Sequence, residues 1–273
     1  MYDIFSTDMV ECPKCCRGIR RNEIVCPYCG CYIKQLKSYF DTGWRYCSGD
    51  GVPQSYEKAA IWFLKAAEEG AVKAQFNLGI MYEKGYGVPK DFQMAAKWYQ
   101  KAAEQGYTAA QCSLGLMYEN GCGVPQNAQI AAEWYRKAAE QGYAFAQHNL
   151  GVMYFNGNGV PQDSQRAVEW YQKAAEQGYV GSQCNLGAIY ISGDGVPRSY
   201  EKAAKWYRKA AEQGQPVAQY NLGLMYRNGD GVPQSYEKAA EWFQKAAKQG
   251  DADAQRELRK MYNDIAFYPD IFG

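Results

Sequence analysis

The chain has 273 residues, 47% of them apolar, with 30 Lys+Arg against 29 Asp+Glu and a formal charge of +1. That apolar share can build a core and excludes a disordered chain. The near-zero charge excludes the basic field of a general nucleic-acid binder, and a single histidine, His148, excludes His-rich metal sites. No apolar run approaches the ~20 residues of a membrane span. The first ten residues carry Asp3 and Asp8 and no basic stretch, unlike a secretory signal. A cytoplasmic location is therefore expected, with signal-independent export left open.

Six of the ten cysteines fall between positions 12 and 31. In a reducing compartment this density reads as a metal site, not a disulfide framework. The run is C-P-K-C-C-R-G-I-R-R-N-E-I-V-C-P-Y-C-G, with a core of C-x2-C-x10-C-x2-C. Two such pairs supply four thiolates, enough to close a tetrahedral zinc site with no open position. The expected ligands of one structural Zn2+ are Cys12, Cys15, Cys26 and Cys29. Cys16 and Cys31 are surplus, and whether either substitutes as a ligand stays open. The segment resembles a short zinc ribbon over residues 10–33. Arg17, Arg20 and Arg21 sit between the two pairs. They read either as a phosphate-contacting loop or as a solvated loop balanced by Asp8, Glu11 and Glu23.

From residue 37 one period dominates. G-V-P recurs at Gly51, Gly87, Gly123, Gly159, Gly195 and Gly231, always 36 residues apart. Trp62, Trp98, Trp134, Trp170, Trp206 and Trp242 keep that spacing, as do Tyr82, Tyr118, Tyr154, Tyr190, Tyr226 and Tyr262. A fixed period of this size signals a solenoid, whose units bury their apolar faces on each other. Each unit reads as two helices. The first spans about 72–84, where Ala74, Leu78, Met81 and Tyr82 form one apolar stripe. Gly79 lies inside it and recurs as Gly43, Gly115, Gly151, Gly187 and Gly223. A mid-helix glycine costs ~1 kcal/mol against alanine, so close approach of another helix backbone is expected there. Gly85 ends the helix and Pro89 prevents its continuation. The second helix spans about 91–105. Asp91 is its expected N-cap, with Ser55, Asn127, Asp163, Ser199 and Ser235 in phase. Ala95, Trp98, Tyr99, Ala102 and Ala103 form its buried face, and Gly106 follows its end. Thirteen such helices fit the chain. At the last one Glu257, Arg259 and Lys260 replace Asn, Gly and an aliphatic residue, presenting a polar end face. The tail A-F-Y-P-D-I-F-G contains Pro269, which argues against helix; docking on the solenoid or on a partner both stay open.

The pattern A-Q-x-x-L-G-x-M-Y-x-x-G-x-G-V-P-x-D-x-x-x-A-x-x-W-Y-x-K-A-A-E-Q-G resembles the Sel-one-like repeat family, related to tetratricopeptide repeats. The resemblance covers about residues 37–266. It implies an all-α fold: a right-handed α-solenoid of 36-residue helix pairs used as a scaffold for protein contacts. The first helices line the concave surface in that family. Phe76, Ile80 and Glu83 lie at i, i+4 and i+7, on a face distinct from the packing stripe. The equivalents are Cys112, Leu116 and Glu119; His148, Val152 and Phe155; Cys184, Ala188 and Ile191; and Tyr220, Leu224 and Arg227. By the resemblance these form a partner-binding groove, flanked by Asn77, Asn149, Asn185 and Asn221, with Ser113 interrupting. The asparagines either clamp an extended peptide or bond their own repeats.

Catalysis finds little support. S-x-x-K at Ser55, Ser199 and Ser235 matches penicillin-recognising serine enzymes, yet it recurs in one phase, where an N-cap serine belongs. Some cysteine-rich relatives are linked to β-lactam binding, but their disulfide within each repeat is missing here. Cys112 and Cys122 are ten residues apart, ~15 Å along a helix, too far for a bridge. With Cys47 and Cys184 they read as free thiols. The expected organisation is a zinc ribbon and linker (1–36), a solenoid (37–266) and a tail (267–273). The expected function is a non-catalytic adaptor for a protein or peptide. The alternative is a nucleic-acid-associated adaptor acting through the ribbon loop; a β-lactam-type hydrolase ranks last.

Overall fold

The computed structural model describes residues 9–12, 17–20 and 33–267. The chain divides into two compact units, Met1–Gln141 and Gly142–Gly273. In the first, β1 (Met9–Glu11) pairs antiparallel with β2 (Gly18–Arg20), matching Met9 to Arg20 and Glu11 to Gly18. The Cys12 N–H donates to the Arg17 carbonyl at 2.9 Å, closing the hairpin. Six helices follow: α1 (Ile33–Ser48), α2 (Tyr56–Glu68), α3 (Val72–Lys84), α4 (Phe92–Glu104), α5 (Thr108–Asn120) and α6 (Ala128–Glu140). The second unit holds α7 (Ala144–Asn156), α8 (Ser164–Glu176), α9 (Val180–Ser192), α10 (Tyr200–Glu212), α11 (Pro216–Asn228), α12 (Tyr236–Lys248) and α13 (Ala252–Phe267). Both units are helix-pair solenoids, and the pairs themselves contain no strand among the described residues.

Capping chemistry sets the boundaries. Asp91 Oδ1 accepts from the Gln93 and Met94 backbone N–H groups at 2.9 and 3.0 Å. Asn127, Asp163, Ser55, Ser199 and Ser235 accept in the same way at the starts of α6, α8, α2, α10 and α12. In each S-x-x-K stretch the serine oxygen therefore takes the lysine's backbone N–H, which assigns the motif to capping. Asp91→Ala should lower stability by about 1 kcal/mol, read as a shift in the denaturation midpoint at constant slope. Gly85, at φ 75°, ends α3 and donates its N–H to the Met81 carbonyl.

The mid-helix glycines act differently from the expectation of backbone against backbone. An added Cβ on Gly79 would lie 2.5 Å from Tyr99 Cδ1, and one on Gly115 would lie 2.8 Å from Tyr135 Cδ1. Gly43 faces Phe63, Gly151 faces Tyr171, Gly187 faces Tyr207 and Gly223 faces Phe243. Each glycine is a notch that admits the ring of the following helix. Those rings are then buried, Tyr135 and Phe243 completely. Backbone contact does occur, but at the loop glycines Gly87, Gly123, Gly195 and Gly231. A Cβ on Gly87 would lie 2.1 Å from Tyr56 C, and one on Gly123 would lie 2.1 Å from the Phe92 carbonyl oxygen. The loop of one repeat thus seats on the first turn of the preceding repeat's second helix.

A buried amide ladder joins successive repeats. Gln75 Nε2 donates to the Ala67 carbonyl at 3.1 Å, while Gln75 Oε1 accepts from Gln105 Nε2 at 2.8 Å. Gln183 repeats both bonds with Ala175 and Gln213, and Gln219 with Ala211 and Gln249. Gln75, Gln111, Gln147, Gln183 and Gln219 are all buried. The amides of Gln75, Gln111, Gln183 and Gln219 satisfy carbonyls at helix ends, groups that carry a penalty if buried unpaired. Each lysine three residues after the repeat tryptophan covers its ring, as Lys137 covers Trp134 at 3.9 Å.

Candidate functional site

The first helix of each pair carries two faces. Ala74, Leu78 and Met81 point into the core of α3. The side chains assigned to the groove lie on another face. Phe76, Asn77 and Ile80 on α3 and Leu116 on α5 are half-buried. So are His148, Asn149, Val152 and Phe155 on α7, Asn185 and Ile191 on α9, and Tyr220, Asn221, Leu224 and Arg227 on α11. Several of these side chains are already engaged within the protein: Phe76 packs on Tyr99 and Tyr107, and Tyr220 packs on Phe243.

Two clefts open on this face at equivalent repeat positions. In the first unit a cleft of about 210 Å³ is lined by Glu83, Phe92, Ser113, Leu116, Met117, Asn120 and Cys122. In the second unit another of about 210 Å³ is lined by Val152, Phe155, Asn156, Tyr171, Asn185, Ala188 and Ile189. Phe155 stands where the first cleft has Glu83, and Asn185 where it has Ser113. Tyrosine hydroxyls from the second helices brace the polar residues. Tyr99 Oη donates to Glu83 Oε2 at 2.7 Å, and Tyr135 Oη donates to Glu119 Oε2 at 2.6 Å. Burial opposes ionisation of Glu83, but hydrogen bonds from Lys84 and Tyr99 and the charges of Lys84 and Lys90 outweigh it. They hold the carboxyl below its ordinary range. Burial, reinforced by Glu83, pushes the Tyr99 hydroxyl up, so it stays a donor.

The asparagines divide between the two roles left open by sequence. Asn221 Nδ2 donates to the Val217 carbonyl of its own helix at 2.9 Å. Asn185 hydrogen-bonds Tyr171, whose hydroxyl burial raises to about 12. Asn149 Nδ2 is buried without a hydrogen-bond partner. Arg227 is ion-paired with Glu257, which Lys260 also contacts at 2.9 Å. Glu257, 9% exposed, therefore faces the protein instead of solvent, correcting its expected place on a polar end face. The charge substituted at this position needs a countercharge, and Arg227 one repeat earlier supplies it. Lys260's hydrogen bond, with the nearby Arg227, keeps the Glu257 carboxyl below its ordinary value despite some burial.

His148 packs between first helices of neighbouring repeats. Its Nδ1 lies 2.9 Å from Ser182 Oγ, and its ring lies 4.7 Å from that of Tyr179. Ser182 is fully buried, so the hydrogen bond engages His148 Nδ1 on the packed side of the ring. Burial lowers the His148 pKa. The unfolded chain then binds the extra proton first, and stability is fully present above the ordinary imidazole value of ~6.5. The melting temperature should fall as pH drops through that value toward the lower folded-state pKa. His148→Gln, which keeps a polar partner for Ser182, should flatten that limb.

Sequence reading missed Trp44 of α1. It occupies the phase of Ile80 and Leu116 and is 55% exposed; extending the 36-residue phase one step back would have found it. Cys112 and Cys184, read as packing thiols, are pushed up by burial to about 12 and about 11, away from thiolate chemistry. Of the four expected zinc ligands, Cys12 is described and fully buried. Cys15, Cys26 and Cys29 lie outside the described residues, as do Cys16, Cys31, Arg21 and the last six residues of the tail. Among the described residues no group of three or more His, Cys, Asp or Glu side chains is placed to hold a metal. Nor is any helix there long and apolar enough to cross a membrane.

The Sel1 repeat model matches residues 36–70, 72–107, 108–143, 144–179, 180–215 and 216–251. The chain belongs to the Sel1 repeat family. The matched repeats coincide with the helix pairs that build the two clefts. Sel1 repeat proteins are generally protein-interaction scaffolds and typically non-catalytic. A protective antigen of uropathogenic Escherichia coli strains displaying an SLR fold is similar at 42% identity and TM-score 0.81. That match covers 82% of this Sel1 repeat chain and 48% of the antigen, so the chain spans about half its length. A Sel1 repeat protein from Oxalobacter formigenes is similar at 39% identity and TM-score 0.68, over 77% of this chain and 84% of that one. No curated protein matches the chain.

Proposed function

We propose that the protein is a non-catalytic scaffold whose first-helix faces bind a segment of another protein. The observation that carries this reading is the contrast between frame and face. The notch glycines, rings, caps and amide ladder repeat, while Phe76, His148, Phe155, Ile191 and Tyr220 differ and stay half-buried. Interface hot spots draw on such partly exposed aromatic side chains. The right-handed sense of the solenoid and its extent over 37–266 belong to the same proposal. So does a cytoplasmic setting. Combined Phe155→Ala, Asn185→Ala and Tyr220→Ala should release partners recovered by affinity purification while keeping the helical signal. Retention of every partner would contradict the reading.

The N-terminal segment is proposed to be a zinc ribbon over 1–36, with one structural Zn2+ on Cys12, Cys15, Cys26 and Cys29. The cysteine spacing supports it, and the β1–β2 hairpin leads directly into and out of the first cysteine pair. Four thiolates would hold the ion closed to water, giving it a folding role. One zinc per chain should be found by elemental analysis. A chelator should remove it without loss of most helical circular dichroism; that loss would contradict the assignment. The nucleic-acid alternative is not favoured. The lysines at Lys65, Lys101, Lys137, Lys173, Lys209 and Lys245 each cover a tryptophan ring of their own helix.

A further inference from the structure

Resting on the scaffold reading, we infer that the cleft of the first unit is a specificity pocket for an arginine or lysine side chain of the partner segment. Its lining is largely apolar, with Phe92, Leu116, Met117 and Cys122. Its charged residue is Glu83. Long cationic side chains bury their methylene stems on apolar surface and keep their heads at a polar rim. The cleft places both environments, apolar side chains and one carboxylate, in a single lining. The carboxylate is also pre-positioned: Tyr99, itself seated in the Gly79 notch, holds Oε2 from the buried side at 2.7 Å. Oε1 faces the exposed Lys84 at 2.6 Å. Lys84 is 53% exposed, and an ion pair that exposed contributes only about 0–1 kcal/mol. An incoming guanidinium can replace it and bond the carboxylate through two parallel N–H groups.

The second unit supplies an internal comparison. Its cleft has the same volume and register, yet Phe155 stands in the place of Glu83 and the lining has no charge. The repeat frame thus tolerates an apolar residue at this position. A carboxylate there, half-buried and braced by a tyrosine, is complementary to a cationic occupant. Glu119, the next acid in the same phase, has its own tyrosine brace in Tyr135.

The test uses the full chain and a displayed library of random dodecapeptides. Selection should enrich peptides carrying Arg or Lys beside apolar residues. Glu83→Gln keeps an acceptor for the Tyr99 hydroxyl, so the fold should persist. It should weaken the selected peptides at least about tenfold, the scale of a lost hydrogen bond to a charged group. The same peptides with Arg or Lys replaced by norleucine should lose that sensitivity. Phe155→Glu provides the reverse arm and should add a preference for basic peptides. Enriched peptides without a basic residue, or basic peptides that bind Glu83→Gln equally well, would overturn the pocket while leaving the scaffold reading intact, provided Leu116→Asp or Val152→Asp abolishes their binding. A library yielding no peptide sensitive to Leu116→Asp or Val152→Asp would overturn both.

Discussion

Gly123→Ala should destabilise the first unit by about 3 kcal/mol or more, through a left-handed backbone and a backbone collision together. Gly123 has φ 71°, and its new Cβ would meet the Phe92 carbonyl oxygen at 2.1 Å and Phe92 C at 2.3 Å. Backbone cannot move aside as a flexible side-chain end can. The matched control is Gly106→Ala. Gly106 has φ 88°, but nothing lies within 4 Å of its added Cβ. Only the conformational strain remains there, about 1–2 kcal/mol. Chemical denaturation of both variants separates the terms. Equal losses would mean that the loop does not seat on α4 as described.

Phe243→Ala should cost about 3–5 kcal/mol. The ring is fully buried and fills the notch at Gly223, 2.7 Å from where that glycine's Cβ would stand. Gly223→Ala alone should cost about 1–3 kcal/mol by overpacking. The double variant should lose less than the sum, because the alanine methyl enters space the ring has left. Additive losses in the denaturation cycle would contradict the notch. The same cycle at Gly115 and Tyr135 examines the first unit, with the difference that Tyr135→Ala also strips Glu119 of its brace.

Much of this architecture was legible because the notch glycine and the helix N-cap each recur six times. A single glycine in a helix is ambiguous; glycines at Gly79, Gly115 and Gly151 in one phase demand a structural cause. The helix ends were equally readable, since Asp91 and Gly85 carry their own geometric signatures. What meets the notch was not readable. Choosing between a neighbouring backbone and the Tyr99 ring requires knowing the side chain's direction across the helix pair. The amide ladder was missed for a related reason. Gln75 and Gln105 look like surface residues until α2, α3 and α4 are packed and the Ala67 carbonyl needs a donor. On the candidate site, phase alone placed Phe76, Val152 and Leu224 on one face. It could not reveal that Arg227 is already paired with Glu257, because that contact spans 30 residues between helices. Nor could it show that Ser182, the serine replacing an alanine of the frame, is there to meet His148.

The proposed scaffold holds its partners by the variable face of the first helices and not by the exposed positions of the second. Peptide binding to the full chain, followed by fluorescence polarisation across two sets of substitutions, tests it most directly. Ile80→Asp, Leu116→Asp and Val152→Asp alter the first face; Lys97→Glu, Glu133→Lys and Lys205→Glu alter exposed positions of α4, α6 and α10. With helical content unchanged in all six, binding should be lost in the first set and kept in the second. Loss in the second set with retention in the first would place the partner on the opposite face and contradict the account.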